Sequence, residues 1–318
     1  MSSSFSPRFC RKCLYTSLSP DDMIRFARMT YPDYDIYATS GFPRGYPIPG
    51  QDAANQIVYD MVKDGYFIDF VELLIRINNI GHMGRKYPLR GIDDVIDDIL
   101  QAGYSFDDTT GQFFEDQNQQ VTNSWGRLLE NDERQMAVLR LDIAGNTILV
   151  KENPKELIDK AYGAIRSIVT EAVVSRLGRL WSWEGDGALG VFMLGDYSRM
   201  AIFAGMDIIN RMYLFNKMDN PLNSSISLRM AVHSGVIVYS ESELKYSKAD
   251  TIIIAKTLEA RAAVPNSLVI SDGVARSQDQ SLLNIFSDTK VVSNSPDKYR
   301  IYQVNCCENG QSKQKKSK

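Results

Sequence analysis

The 318 residues carry a formal net charge of −3 with 44% hydrophobic and 24% charged side chains, a balance typical of globular chains that offers no electrostatic ground for nucleic-acid binding. No run approaches the roughly 20 apolar residues of a membrane-spanning helix, and the first residues lack the apolar centre of a secretory signal, so a cytoplasmic protein without membrane contact is expected. The length suits two domains, each able to bury its own core.

Residues 1–20 are rich in serine without helical period and read as a flexible arm. Cys10 and Cys13 form a C-x-x-C pair, which is half of a zinc site. Cys306 and Cys307 are adjacent rather than spaced, and the two histidines, His82 and His233, lie in unrelated contexts, so reduced thiols are expected. Asp21 or Asp22 caps a helix from Met23 to Met29, and the Pro-, Gly- and Tyr-rich stretch 31–50 reads as a loop. Helical spacing follows at Ala54, Ile57, Val58 and Met61, then at Phe70, Val71 and Leu74, then at Val95, Ile96 and Ile99. These helices make a small helical domain, 21–105, expected to be regulatory. Within it, Gly81–Pro88 reads as a structural turn sooner than as a partner-binding loop. The polar, Gln/Asn-rich segment 106–130 reads as a linker, with an extra hairpin on the second domain as the alternative.

The second domain is expected over 131–305. Its first strand, within Met136–Val150, delivers Asp142 to the strand end, where Ala144, Gly145 and Asn146 turn the backbone. Asn153-Pro154 opens a long helix with Leu157, Ala161, Ile165, Ile168 and Ala172 on one face. A hairpin, Leu180–Phe192, is folded about Gly185-Asp186-Gly187, and strict alternation along it puts Trp181 and Trp183 on one face. Then come a helix from Ser198 to Asn216, strands Ser227–Val232 and Val236–Tyr239, a helix from Asp250 to Ala263, and strands Leu268–Ser271 and Tyr299–Val304. The β-α-β-β-α-β order is that of an α+β, ferredoxin-like fold. The last residues, 306–318, form a polar tail whose basic run, Lys313–Lys318, reads as solvated.

Asp142 and Asp186, placed on neighbouring strand ends, are an oxygen donor pair for hard divalent cations and point to nucleotide chemistry. L-R-L-D-I-A-G-N-T and E-G-D-G resemble the F-x-D-I-x-G-F-T segment and G-D-G hairpin of class III nucleotidyl cyclases. Arg229–Gly235 resembles that family's R-x-G-I-H-x-G strand, Asp250–Ala255 stands where it has G-x-x-V-N-x-A, and Asn266–Ser271 resembles its G-x-I-x-I-S strand. The five blocks follow the family's order over just over half of the chain. The resemblance implies two Mg2+ or Mn2+ ions on Asp142, Asp186 and the Ile143 carbonyl, with the amides of Ala144, Gly145, Asn146 and Thr147 at the triphosphate. It also implies a homodimer with shared active sites. The reaction would be attack of the ribose 3′ oxygen on the α-phosphorus of a nucleoside triphosphate, with release of pyrophosphate.

The chain departs from the purine-cyclase pattern where the base and transition state are read. Ser182 stands in place of a lysine, Tyr246 in place of an aspartate or threonine, Ile253 in place of an asparagine and Thr257 in place of an arginine, with Arg261 one turn further on. With W-S-W-E-G-D-G, these positions resemble the bacterial pyrimidine cyclases of the Pycsar anti-phage system, whose cyclic nucleotide acts on a separate effector. That implies UTP as substrate and Ser182 and Tyr246 at the base, with CTP the nearest rival. The alternatives are an adenylate or guanylate cyclase with unusual base contacts, and a catalytically degenerate nucleotide-binding sensor. His233 reads as structural.

Overall fold

The protein is described here by a computed structural model covering residues 7–116, 121–292 and 298–303. Cys306, Cys307 and the tail lie outside the described residues. The chain divides into two compact units, Met1–Glu130 and Asn131–Lys318.

The first unit opens with a helix rather than the expected arm: α1, Arg8–Ser17, buries Cys10, Cys13 and Leu14. Those three residues lie one turn apart on a single face, a stripe too short to stand out beside the serine-rich start. Burial pushes the Cys10 thiol well above its usual range and the Cys13 thiol up to about 12, so both are held as inert thiols. In α2, Pro20–Thr30, the cap is Ser19 and not Asp21 or Asp22: its side chain accepts from the Asp22 amide at 3.2 Å, with Pro20 at the first helical position. The loop that follows contains one short turn of helix, α3, Ile36–Thr39.

Helices α4, Gly50–Lys63, α5, Phe67–Ile80, and α6, Ile92–Gln101, carry the expected apolar faces into a core that includes Phe26, Ile57, Met61, Phe70 and Leu74. One carboxylate, Asp60, is buried with it. It accepts from the Tyr34 hydroxyl at 2.9 Å, the Thr39 hydroxyl at 2.7 Å and Gln56 Nε2 at 2.9 Å, so its lone pairs are satisfied without a cation. The 81–88 segment is a tight turn, with His82 and Arg85 bonded through both backbone groups. The expected linker instead begins with a hairpin, β1, Tyr104–Asp107, paired to β2, Gln112–Glu115, and this hairpin belongs to the first unit. Phe113 and Trp125 are fully buried, and Arg127 binds both Glu72, at 2.8 Å, and the Phe113 carbonyl, at 2.8 Å. Polar composition concealed these anchors.

The elements of the second unit are β3, Glu133–Ile143; α7, Asn146–Glu152; α8, Lys155–Val174; β4, Arg179–Glu184; β5, Gly187–Phe192; α9, Tyr197–Met218; β6, Leu228–Val238; α10, Glu243–Tyr246; α11, Asp250–Ala262; β7, Ser267–Ser271; α12, Asp272–Arg276; α13, Gln280–Leu283; β8, Lys290–Val291; and β9, Lys298–Gln303. The unit is a sheet with α8 and α9 packed on one face and α11 on the other. Among the described residues the sheet has seven strands in the order β4-β5-β3-β6-β7-β9-β8, antiparallel except for β6 with β7. Alternate residues of β3, namely Ala137, Leu139, Leu141 and Ile143, enter the core with Ile165 and Val169 of α8 and Ile202 and Ile208 of α9. The other set, which includes Arg140 and Asp142, faces away from that core.

Two local readings are corrected here. β6 is one continuous strand, because Ser234 and Gly235, taken as a break, stay in register with Ala137 and Met136 of β3. Trp181 and Trp183 do not share a face. A bulge between Leu180 and Ser182 adds one residue and resets the alternation, so Trp183 packs on the core under α8 and α9 while Trp181 meets Tyr239 edge-on and Tyr246 at a tilt. Residues 131–318 expressed alone are expected to unfold in one cooperative urea transition. In that fragment Phe192→Ala should cost about 3–5 kcal/mol, because a fully buried ring is removed from the core under α8 and α9.

Candidate active site

The two aspartates meet through strand register. β3 lies antiparallel to β5 with Asp142 opposite Gly187, and the Ile143 amide donates to the Asp186 carbonyl at 3.1 Å. Glu184 pairs with Gly187, which leaves Gly185 and Asp186 as a two-residue turn; Gly185 adopts φ +56°, the left-handed conformation that a tight hairpin needs at its first central residue. Gly187 has a different reason to be glycine. A Cβ there would sit 2.7 Å from Arg140 Nη2 and 3.2 Å from the Leu141 carbonyl, so the bare backbone is what admits the guanidinium. Ile143 is buried in the core, so only its backbone can face a ligand.

On its other side Asp142 faces Arg229 of β6, and Arg229 Nη2 donates to its carboxylate. The same guanidinium turns Nε towards Glu259 of α11, with 3.0 Å to Oε1. Glu259 is only 4% exposed. Burial raises its carboxyl above the usual range; Arg229 and Arg140 pull the other way, while Asp142 and Asp186 add to the rise. Near the same end, the Tyr162 hydroxyl of α8 donates to Asn146 Oδ1. Its phenol is also raised, first by burial and then by the charges of Asp186 and Asp142.

Arg140, Tyr162 and Glu259 have no place in the sequence reading, and Arg229 figures there only as part of a strand. Glu259 carried a usable signal: a charged residue flanked by Leu258 and close to Ala262, on the side of α11 that its period marks for burial. Tyr162 carried none, since a half-buried tyrosine on a helix is unremarkable.

The segment after Asp142 is narrower as an anion site than the four amides expected. The Ala144 amide is committed to the Ser227 carbonyl at 2.9 Å. Gly145, at φ +71°, reverses the chain into α7, and Asn146 and Thr147 then begin the helix with amides that have no partner within it. The available donors are therefore those of Gly145, Asn146 and Thr147.

Ser182 and Tyr246 form a second set. Tyr246 is buried against Trp181, ring centroids 4.9 Å apart, and its hydroxyl donates to the Trp181 carbonyl at 3.3 Å. Its phenol is pushed up to about 12, chiefly by burial and next by Glu243, with the hydrogen bond from Ser182 opposing. No hydrogen bond joins this set to the aspartates among the described residues. Ile253 is 48% exposed and Thr257 turns its hydroxyl back to the Ile253 carbonyl at 2.9 Å; with exposed Arg261 they form an outward stripe at four-residue spacing. His233 is tied through Nδ1 to the Ser271 hydroxyl at 2.8 Å. Among the described residues no group of three or more His, Cys, Asp or Glu side chains is arranged to hold a metal ion by side chains alone. No described helix is long and apolar enough to cross a membrane.

The Tyr246 phenol makes a pH prediction. A folded-state value near 12 against the ordinary 10 means that the neutral phenol is favoured by the fold. The stability it contributes is complete below pH 10 and is lost as pH rises towards 12. Urea unfolding of Tyr246→Phe between those pH values should show a shallower loss of stability than the wild type.

No family model matches the chain, and no curated protein matches it. Among solved structures, it is similar to the guanylate cyclase domain of RhGC from Catenaria anguillulae in complex with GTP, at 18% identity and a TM-score of 0.45, over 54% of this chain and 96% of that one. It is also similar to the adenylate/guanylate cyclase/hydrolase from Silicibacter pomeroyi, at 23% identity and a TM-score of 0.46, over 55% of this chain and 99% of that one. A third is the adenylyl cyclase CyaB from P. aeruginosa, at 18% identity and a TM-score of 0.46, over 55% of this chain and 96% of that one.

Proposed function

We propose that residues 131–305 are a nucleotidyl cyclase that converts UTP to 3′,5′-cyclic UMP and pyrophosphate, as a homodimer with shared active sites. The observation that carries this reading is the register that sets Asp142 opposite Gly187, beside Asp186 at the end of the neighbouring strand. Two carboxylates and a backbone carbonyl are hard oxygen donors, with open positions left for water and substrate phosphates, and that set fits Mg2+ or Mn2+. Asp142, Asp186 and the Ile143 carbonyl would hold the two cations. When bound, the cations neutralise the triphosphate and lower the pKa of the ribose 3′ hydroxyl. The amides of Gly145, Asn146 and Thr147 orient the triphosphate, and attack of the 3′ oxygen on the α-phosphorus displaces pyrophosphate.

Sharing of the site is supported by the two separate residue sets and by the outward stripe of Ile253, Thr257 and Arg261, which in a two-fold dimer faces a partner rather than its own aspartates. Arg261 supplies the cation that Thr257 lacks. The pyrimidine reading rests on Tyr246, whose ring fills volume at the base position and whose hydroxyl is already committed to Trp181. The first unit regulates the second, and the cyclic nucleotide acts on a separate effector in anti-phage defence. A second reading, a nucleotide-binding sensor without turnover, is favoured by Ile253, which replaces a polar transition-state group with an apolar one.

Incubation with Mn2+ and each of the four nucleoside triphosphates, followed by chromatography, tests the proposal: cyclic UMP as the main product is expected. Turnover of ATP or GTP in preference to UTP overturns the base assignment, and none with any nucleotide leaves the sensor. Asp142→Ala and Asp186→Ala should each lower turnover at least about 100-fold with the protein still folded, since each loses a charged ligand and about 2.7 kcal/mol or more of transition-state stabilisation. Tyr246→Ala should raise ATP or GTP turnover relative to UTP by opening the base pocket.

A further inference from the structure

The guanidinium of Arg229 lies between two carboxylates and satisfies only one of them well. Nη2 is hydrogen-bonded to Asp142, whereas Nε and Glu259 Oε1 stand 3.0 Å apart yet are both buried without an aligned hydrogen bond. The Arg229 side chain is 31% exposed and so has room to move; that of Glu259 is 6% exposed and does not. A guanidinium carries five donors in a planar fork and binds a carboxylate best through two parallel bonds. Turned off Asp142, Arg229 can complete such a pair with Glu259.

This arrangement bears on cation binding, because a cation at Asp142 must displace the arginine that already neutralises it. Without a receiving carboxylate, displacement would strand a partly buried guanidinium, and an unpaired buried charge is strongly unfavourable. With Glu259 in place, one ion pair is exchanged for another. The Arg140 guanidinium, which lies over Gly187, also acts on Glu259.

We propose that Glu259 is a positioning residue that receives Arg229 and so frees the Asp142 carboxylate for a divalent cation. The inference rests on the reading of Asp142 and Asp186 as cation ligands and adds how that site is opened. A purely structural Glu259 would affect stability and leave cation affinity unchanged.

The test is direct Mn2+ binding to the full chain without nucleotide, followed by the loss of the free-ion electron paramagnetic resonance signal. Glu259→Gln is expected to weaken Mn2+ binding by about 10–100-fold, the usual effect of losing a residue that orients a ligand. Arg229→Gln, which removes the competitor, should bind Mn2+ at least as tightly as the wild type, and Glu259→Asp should recover part of the affinity. The Arg229→Gln/Glu259→Gln double variant should return to within about threefold of the wild type, because the two residues act as one coupled pair. Wild-type affinity in a folded Glu259→Gln chain overturns the inference alone. Should that variant not fold, a tenfold loss in Arg229→Gln overturns it equally. A wild-type chain that binds no Mn2+ overturns the reading of the aspartates, and this inference with it.

Discussion

The second unit depends on the register of one strand. β3 runs between β5 and β6, and because side chains alternate strictly along it, the same alignment that sends Leu139, Leu141 and Ile143 into the core sends Arg140 and Asp142 to the opposite face. A slip by one residue would turn the carboxylate and the arginine into the core under α8 and α9 and take Leu139, Leu141 and Ile143 out of it. The hydrophobic core therefore fixes where the charges stand, and the placement of Asp142 beside the Gly185-Asp186 turn on one side and Arg229 on the other follows from packing rather than from any attraction between them.

Charge burial is the second constraint. Asp142, Asp186 and Glu259 bring three carboxylates to one end of the sheet, and Arg229 and Arg140 answer them. Such a cluster contributes little net stability, since desolvation offsets most of the Coulomb attraction. It is kept compact by backbone economy: Gly187 lacks the Cβ that would collide with Arg140. The first unit handles a buried carboxylate differently. Asp60 is surrounded by neutral donors from Tyr34, Thr39 and Gln56, which anchors the 34–39 segment onto α4 without any cation.

The contact between Tyr246 and Trp181 depends on an irregularity in the hairpin. The Tyr246 ring packs on Trp181, its hydroxyl reaches the Trp181 carbonyl, and the bulge between Leu180 and Ser182 is what turns Trp181 away from the core under α8 and α9 to meet it. Remove the bulge and Trp181 and Trp183 would point to the same side, and Tyr246 would lose its contact with Trp181.

The sequence by itself determined the large elements. Period 3.6 in α4, α5, α8 and α9 and the short apolar run of β3 are consequences of where apolar side chains must go, and they are visible without coordinates. It also placed Asp142 at a strand end and Asp186 in a tight turn, because Gly-Asp-Gly dictates local backbone shape. Short or mixed signals were not legible: three buried residues in α1, a hairpin hidden among polar residues at 104–115, and a strand β6 held straight through Ser234 and Gly235 by its partner. Only tertiary structure decided who meets whom at the candidate site. Arg229 lies 87 residues from Asp142 in the chain, and Glu259 reaches Arg229 from a helix on a different element. Contacts between distant residues depend on strand order and on how α11 packs over β6, and neither quantity is written in local periodicity.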